Sequence, residues 1–250
     1  MRRLFHISLF AFSWLLFGLC ALVVNLLCAA LLCVPGARTR FASLSRQLLQ
    51  HFFSAWNAWL DFTGLVHVRW HGFENIPLHG GAVWVANHPG LLDATFLLSR
   101  LPDAICVFKP SMRRNPFLAP VALLADHLAC ATGTEFIRSA VERVSAGRTL
   151  LIFPEGTRTS AHLTLNPCKT GFALIAARAH APIQIVVIRA SRDLLPRGRR
   201  WWQVPHFPAV VDIYADDRLE PEPHRPVRAT AAFVEERLTE QLTGSPCLVS

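Results

Sequence analysis

The pattern of apolar and polar positions divides the chain into a membrane-like beginning and a regularly alternating remainder. From Leu4 to Val34 no charged residue occurs, with Arg2 and Arg3 before the run and Arg38 and Arg40 after it. At about 1.5 Å per helical residue the run exceeds the ~30 Å hydrocarbon core of a bilayer. It is also about twice the 7–15-residue apolar centre of a signal peptide. The pattern predicts a tilted membrane helix; a re-entrant or interfacial hairpin is the alternative, because Gly18 and Asn25 interrupt the run. Pro35-Gly36 marks a turn. Between Phe41 and Phe62, Phe41, Leu44, Leu48, Leu49, Phe52, Phe53, Trp56, Trp59 and Leu60 recur at three- and four-residue intervals opposite Ser43, Arg46, Gln47, Gln50 and Asn57. That spacing predicts an amphipathic helix, placed in the membrane interface or packed on a core.

After Thr63-Gly64 the period changes. Val66–Trp70 alternates like a strand, and Ala82–Ala86, Ile105–Phe108, Leu150–Phe153, Ile183–Ile188 and Val210–Tyr214 are short apolar runs suited to buried strands. Helical patterns at Leu91–Leu98, Glu135–Ser145, Phe172–Ala179 and Arg228–Leu242 separate or follow them. The alternation predicts an α/β fold: a mixed, mostly parallel sheet flanked by helices, preceded by an N-terminal membrane-anchoring helix pair. The expected division is residues 1–62 for that pair and 63–250 for the sheet domain.

Composition narrows the class. The 250 residues are 52% hydrophobic and 17% charged, which excludes a disordered chain and argues against a fully soluble one, where about 25% charged is usual. Lys plus Arg number 25 against 17 acids, and only Lys109 and Lys169 are lysines. So apolar and basic a chain suits an anionic lipid surface better than nucleic acid. The seven cysteines contain no C-x-x-C pair, so neither a disulfide framework nor a cysteine zinc site is expected, and the sheet domain is expected on the reducing, cytoplasmic side. Among the eleven histidines only His67 and His71 approach a ligand spacing, and they read as structural. Arg189, Arg192, Arg197, Arg199 and Arg200, followed by Trp201-Trp202, form a basic-aromatic stretch suited either to a lipid headgroup layer or to a solvated loop.

Two strand ends carry the candidate chemistry. In Asn87-His88-Pro89-Gly90-Leu91-Leu92-Asp93 the Pro-Gly turn lets an imidazole and a carboxylate five residues apart meet, so that His88 can accept a proton while Asp93 fixes its tautomer. Taken alone, the spacing is better read as a helix-terminus carboxylate at Asp93 and a surface histidine at His88. Phe153-Pro154-Glu155-Gly156-Thr157-Arg158 follows another apolar strand, with an arginine fork suited to phosphate or carboxylate.

The two blocks together resemble the glycerolipid acyltransferases of the 1-acylglycerol-3-phosphate acyltransferase type. Asn87, His88 and Asp93 match N-H-x-x-x-x-D, Phe153–Arg158 matches F-P-E-G-T-R in full, Lys169–Ala176 is similar to K-x-G-x-x-x-x-A, and Ala181-Pro182-Ile183 to the fourth motif. The resemblance covers roughly Gly64 to Val211. It implies that His88 deprotonates the acceptor hydroxyl, that Asp93 orients His88, and that the hydroxyl attacks a thioester directly. Asn87, Lys109, Glu155, Gly156, Thr157 and Arg158 are the implied substrate-binding residues, Arg158 on the acceptor phosphate. No metal and no cofactor is implied; the co-substrate is an acyl-CoA or acyl carrier protein thioester. Gly133–Arg138 reads G-x-x-F-x-R, one residue short of the second motif, G-x-x-F-x-x-R, and Phe136, Val141 and Val144 fit the helix that precedes F-P-E-G in the family. The second block therefore falls near Leu124–Cys130, where there is no arginine.

The expected function is membrane-associated acyl transfer to a lysolipid hydroxyl, 1-acyl-sn-glycerol-3-phosphate before others. A different acceptor in a specialised acyl-lipid pathway, or a non-catalytic membrane lipid-binding protein, are the alternatives. A serine hydrolase ranks last for want of G-x-S-x-G. The expected partners are a phospholipid surface, the acyl donor and the lysolipid acceptor, without nucleic acid. One N-terminal anchor with the catalytic domain on the cytoplasmic side is the expected location.

Overall fold

A computed structural model describes residues 2–244 apart from 79, 116–117, 131–132, 192–193 and 223. The central sheet is built from the apolar runs: β1 (Val66–His71), β2 (Val83–Ala86), β3 (Ile105–Phe108), β4 (Leu128–Ala129), β5 (Leu150–Ile152), β6 (Ile183–Ala190) and β7 (Ala209–Leu219). Their order is β1-β7-β6-β2-β5-β3-β4. All neighbours are parallel except β6 and β7, so the sheet is mixed and mostly parallel.

The period-2 rule assigns side chains to the two faces. Trp84, Ala86, Leu151, Val186 and Ile188 pack on one side with Leu92, Phe96 and Leu97. Val83, Val85, Leu150, Ile183, Ile185 and Val187 pack on the other with Phe172, Ile175, Val234 and Leu238. The first layer of helices is α3 (Ala42–Phe62) and α4 (Asp93–Arg100); the second is α6 (Thr134–Ser145), α7 (Gly171–Ala179) and α8 (Val227–Thr243). Strands with both faces covered need no polar alternation, which is why β2 is apolar throughout.

Four short elements have no counterpart in the sequence pattern: α2 (Ala37–Arg40), a 3-10 turn at Pro110–Arg114, α5 (Ala119–Leu124) and the two-residue β4. Each is too short to establish a period. β7 also runs five residues past Tyr214, because its polar end still pairs with β6 through Gln184↔Arg218 and Ile183↔Leu219.

The first helix, α1 (Arg2–Leu32), is long and apolar enough to cross a membrane. One narrow stripe of it is docked lengthwise on the protein. Phe10, Ser13, Asn25 and Cys28 are buried, while Leu4, Phe5, Phe12, Leu15, Leu19, Val23, Leu26 and Leu27 are exposed. The polar interruptions serve this contact: Ser13 Oγ accepts the Trp59 indole N–H at 2.9 Å, and Asn25 Oδ1 accepts Val121 N–H at 3.2 Å. Trp14 meets Trp56 and Trp201, and Phe10 meets Phe207. Helix α3 buries Leu49, Trp56 and Leu60 and leaves Leu44, Leu48 and Phe62 exposed. Arg46, expected on its polar face, is instead buried, donating to Asp103 Oδ1 at 2.7 Å and to the Ala125 carbonyl at 3.0 Å.

Candidate active site

Strands β2 and β5 are parallel neighbours paired Val85↔Ile152, so the segments that follow them, Asn87–Asp93 and Phe153–Arg158, leave the same edge of the sheet side by side. In open α/β sheets that carboxyl edge is where ligands bind. β3, paired with β5 through Cys106↔Leu151, delivers the exposed Lys109 to the same edge.

His88 is fixed on every side but one. Its backbone N–H donates to Glu155 Oε1 at 2.8 Å, and its carbonyl accepts Thr159 N–H at 2.8 Å. Its ring stacks on Phe153 with centroids 4.1 Å apart and planes 19° apart. Nδ1 lies 2.7 Å from Asp93 Oδ2, and the side chain keeps 19% exposure. A carboxylate partner makes Nδ1 the protonated nitrogen, which leaves Nε2 with its lone pair as the free ring atom.

Asp93, the first residue of α4, is buried and also accepts Gly90 N–H at 2.8 Å. Burial pushes its carboxyl above the usual carboxylate range, against the lowering effect of the His88 and Gly90 bonds. The turn is tight around Gly90: a Cβ there would stand 3.0 Å from the Leu194 carbonyl oxygen and 3.2 Å from Asp93 Oδ1, so both would have to give way by a few tenths of an ångström. One segment thus supplies an imidazole with a buried orienting carboxylate, an arrangement able to take a proton from a hydroxyl and return it.

Two expected substrate-binding side chains face the protein instead. Asn87 is buried, donating through Nδ2 to the Ile188 carbonyl at 2.8 Å and accepting Ile188 N–H at 2.7 Å, which ties the end of β2 to β6. Glu155 is buried as well. Besides His88 N–H it accepts Thr159 Oγ–H, within 2.9 Å of both carboxylate oxygens, and Asn166 N–H at 2.9 Å. With their polar atoms so engaged, both hold backbone in place and are not oriented to hold an acceptor. Nothing in the motif spacing distinguishes an inward carboxylate from an outward one. Thr159 and Asn166, which complete the Glu155 cluster, carried no signal in the sequence, and neither did the stacking role of Phe153.

The other expected binding residues lie at the crevice edge. Gly156 is exposed at φ +68°, and Thr157 and Arg158 are half-buried. Arg158 Nη1 donates to the Leu195 and Pro196 carbonyls at 3.1 and 3.2 Å, so part of its fork anchors the loop between β6 and β7. Arg138 stands elsewhere, on α6, with its side chain 72% exposed and 3.7 Å from Glu142. In the 124–130 segment the charged residue, Asp126, pairs with Arg143 and Arg148, and the segment itself supplies no arginine.

The basic-aromatic stretch separates. Arg189 belongs to β6, stacked over Tyr214 and bonded to the Gln241 carbonyl. Arg197 donates to Ser160 Oγ, Arg200 covers Trp202, and Trp201 and Trp202 are exposed. Arg192 and Asp193 lie outside the described residues. His67 and His71 go to separate partners, Asp61 and Asp212.

Known proteins resemble the chain in sequence and in fold. A family model described as Acyltransferase matches residues 67–189. The 1-acyl-sn-glycerol-3-phosphate acyltransferase of Limnanthes alba is 30% identical over 124 residues, covering 47% of this chain and 44% of that one. The protein of the same name from Helicobacter pylori is 30% identical over 115 residues, covering 44% and 48%. The chain thus spans about half the length of these curated relatives. The crystal structure of the 1-acyl-sn-glycerophosphate (LPA) acyltransferase PlsC from Thermotoga maritima superimposes with a TM-score of 0.77 over 97% of this chain and 96% of that one, at 21% identity, which establishes a shared fold. With the histidine-carboxylate pair and the Phe153–Arg158 loop at one sheet edge, residues 67–189 form an acyltransferase-family domain, similar in sequence to 1-acyl-sn-glycerol-3-phosphate acyltransferases.

Proposed function

We propose that this protein moves a fatty acyl group from a thioester, carried by coenzyme A or acyl carrier protein, to the free hydroxyl of a lysolipid, with 1-acyl-sn-glycerol-3-phosphate as the leading acceptor. The observation that carries the reading is the His88 Nδ1–Asp93 Oδ2 contact of 2.7 Å at the carboxyl edge of β2. Nε2 takes the acceptor's hydroxyl proton as its oxygen attacks the thioester carbonyl. The tetrahedral intermediate collapses with cleavage of the C–S bond, and the leaving thiolate takes from Nε2 the proton that came from the acceptor hydroxyl. Asp93 stabilises the imidazolium formed between these steps. Glu155 and Asn87 act as positioning residues, while Arg158 and Lys109 hold the acceptor's phosphate.

The same reading places the protein at a membrane. Over its roughly 46 Å length the outer face of α1 is apolar, and Trp14 brings Trp201 and Trp202 against it. Immersing that face in a bilayer sets the tryptophans and Arg200 at headgroup depth. The cytoplasmic side suits the six described cysteines, which form no disulfide with one another.

A second reading rests on the 124–130 segment, which presents no arginine: the acceptor there is a hydroxyl lipid without a phosphate. The test is transfer from labelled acyl-CoA and acyl-carrier-protein donors to a panel of lysolipids in vesicles, with His88→Ala alongside. We expect acylated lysophosphatidate and a loss of about 10²–10⁴-fold in the variant. Transfer only to phosphate-free acceptors selects the second reading, and His88→Ala activity within threefold of wild type rejects the mechanism.

A further inference from the structure

The loop that follows β5 carries a cation the mechanism does not use. Lys169 runs alongside Gly156: a Cβ built on that glycine would lie 2.7 Å from Lys169 Nζ, 3.1 Å from Cε and 3.6 Å from Cδ. The lysine stem therefore occupies the space a side chain at 156 would fill, and the ammonium group sits directly against the loop backbone. This placement is built in. Lys169 N–H donates to the Pro154 carbonyl at 3.0 Å. Three residues earlier, Asn166 bonds Glu155 through its N–H and the Arg158 carbonyl through Nδ2. The 166–169 segment and the 154–158 loop are one stitched unit, the unit whose Glu155 also holds the His88 backbone.

The ammonium group is exposed and forms no ion pair among the described residues. Glu155, the carboxylate of the same loop, is already filled by His88, Thr159 and Asn166. Among the described residues, the N–H groups of Thr157 and Arg158 also donate to no protein acceptor. Two backbone donors without a protein acceptor after a left-handed glycine, with an unpaired ammonium beside that glycine, concentrate positive potential of a kind suited to a phosphoryl group. No arginine is presented from the 124–130 segment, and Arg158 commits Nη1 to two backbone carbonyls.

We propose that Lys169, together with the Thr157 and Arg158 amides, forms a phosphoryl-binding subsite for this reaction. Its ligand is the phosphate monoester of the acceptor or a phosphate of the donor. The inference rests on the acyl-transfer reading but can be measured without turnover.

Lys109 and Lys169 are the two lysines of the chain, so lysine labelling by an amine-reactive reagent maps to two peptides, separate from any α-amino label. With the full-length His88→Ala protein in detergent, lysophosphatidate is expected to slow Lys169 labelling at least about fivefold if the acceptor supplies the phosphate. Coenzyme A is expected to do so if the donor supplies it. Equal labelling of Lys169 with and without each ligand overturns the subsite, whether or not the wild-type protein transfers acyl groups.

In the His88 protein, Lys169→Met keeps most of the stem against Gly156 and removes the charge. It is expected to raise the KM of the phosphate-bearing substrate about 10-fold or more, the range of a lost hydrogen bond to a charged group, with kcat within about threefold and partial recovery in Lys169→Arg. An unchanged KM for both substrates in Lys169→Met shows that Lys169 only packs, and overturns the proposal.

Discussion

Replacing Asp93 by Asn separates catalysis from architecture at one atom. Both hydrogen bonds to Asp93, from His88 Nδ1 at 2.7 Å and Gly90 N–H at 2.8 Å, end on Oδ2. A single amide oxygen in that place can accept both, so the turn and the start of α4 are preserved. The variant loses the negative charge beside the imidazolium that forms when His88 takes a proton. For charge centres about 4 Å apart at an effective dielectric constant of about 20, that interaction is worth about 4 kcal/mol, or about 10³-fold in rate. Stability should move the other way or stay put, because burial already works against the charged form of this carboxyl. The assay is kcat for acyl transfer at saturating acceptor, beside the melting temperature of the same preparation. We expect kcat to fall by about 10³ with an unchanged or higher melting temperature. A variant retaining more than a tenth of wild-type kcat would refute the electrostatic role. A melting temperature that falls in step with activity would show Asp93 to be a structural cap.

Asn87→Ala orphans the buried N–H and carbonyl of Ile188, at about 1–3 kcal/mol per group; denaturant unfolding should show that loss with acceptor KM unchanged, and a raised KM without destabilisation would restore a binding role. Arg158→Lys keeps charge but not the fork on the Leu195 and Pro196 carbonyls, so acceptor KM should rise at least about tenfold while Arg138→Ala leaves it within twofold; equal losses would reverse the assignment. Burial, reinforced by the Arg46 guanidinium, pushes His127 down to about 4, and neutral Nδ1 accepts Cys106 N–H at 3.2 Å. The folded value lies below the unfolded one, so the unfolded chain binds the proton first. Stability is then full above about pH 6.5 and falls by about 1–3 kcal/mol toward pH 4. His127→Gln should flatten that limb of the stability profile, and an unaltered profile would refute the assignment. Trp201→Ala with Trp202→Ala should weaken binding to anionic vesicles several-fold in a sedimentation assay without altering transfer in detergent; unchanged sedimentation would remove that loop from the membrane face.

Much of this protein was legible in one dimension because its signals are local. The apolar runs at Ala82–Ala86 and Ile183–Ile188 name buried strands, since a strand covered on both faces needs no polar positions. The motif letters place His88, Asp93 and Arg158 at strand ends, because a turn five residues long suffices to bring His88 to Asp93. The N-terminal run declares its hydrophobicity but not its partner. Only the folded chain shows that Phe10, Ser13, Asn25 and Cys28 form a stripe docked on the domain, because that depends on where Trp59 and Val121 lie in space. Composition likewise could not tell the outward arginines from Arg46, which pairs with Asp103 inside the protein. Glu155 and Asn87, which the motif resemblance assigns to substrate, turn inward for the same reason. Whether a carboxylate or amide within a motif points at substrate or at backbone is decided by which segments arrive beside it, here Ile188, Thr159 and Asn166. The placement of Lys169 over Gly156 is of that kind as well, joining residues thirteen positions apart through the loop they share. Sequence sets the elements, the chemistry available and the turns short enough to close on themselves. Long-range packing decides which polar groups are consumed by the fold and which remain free to act.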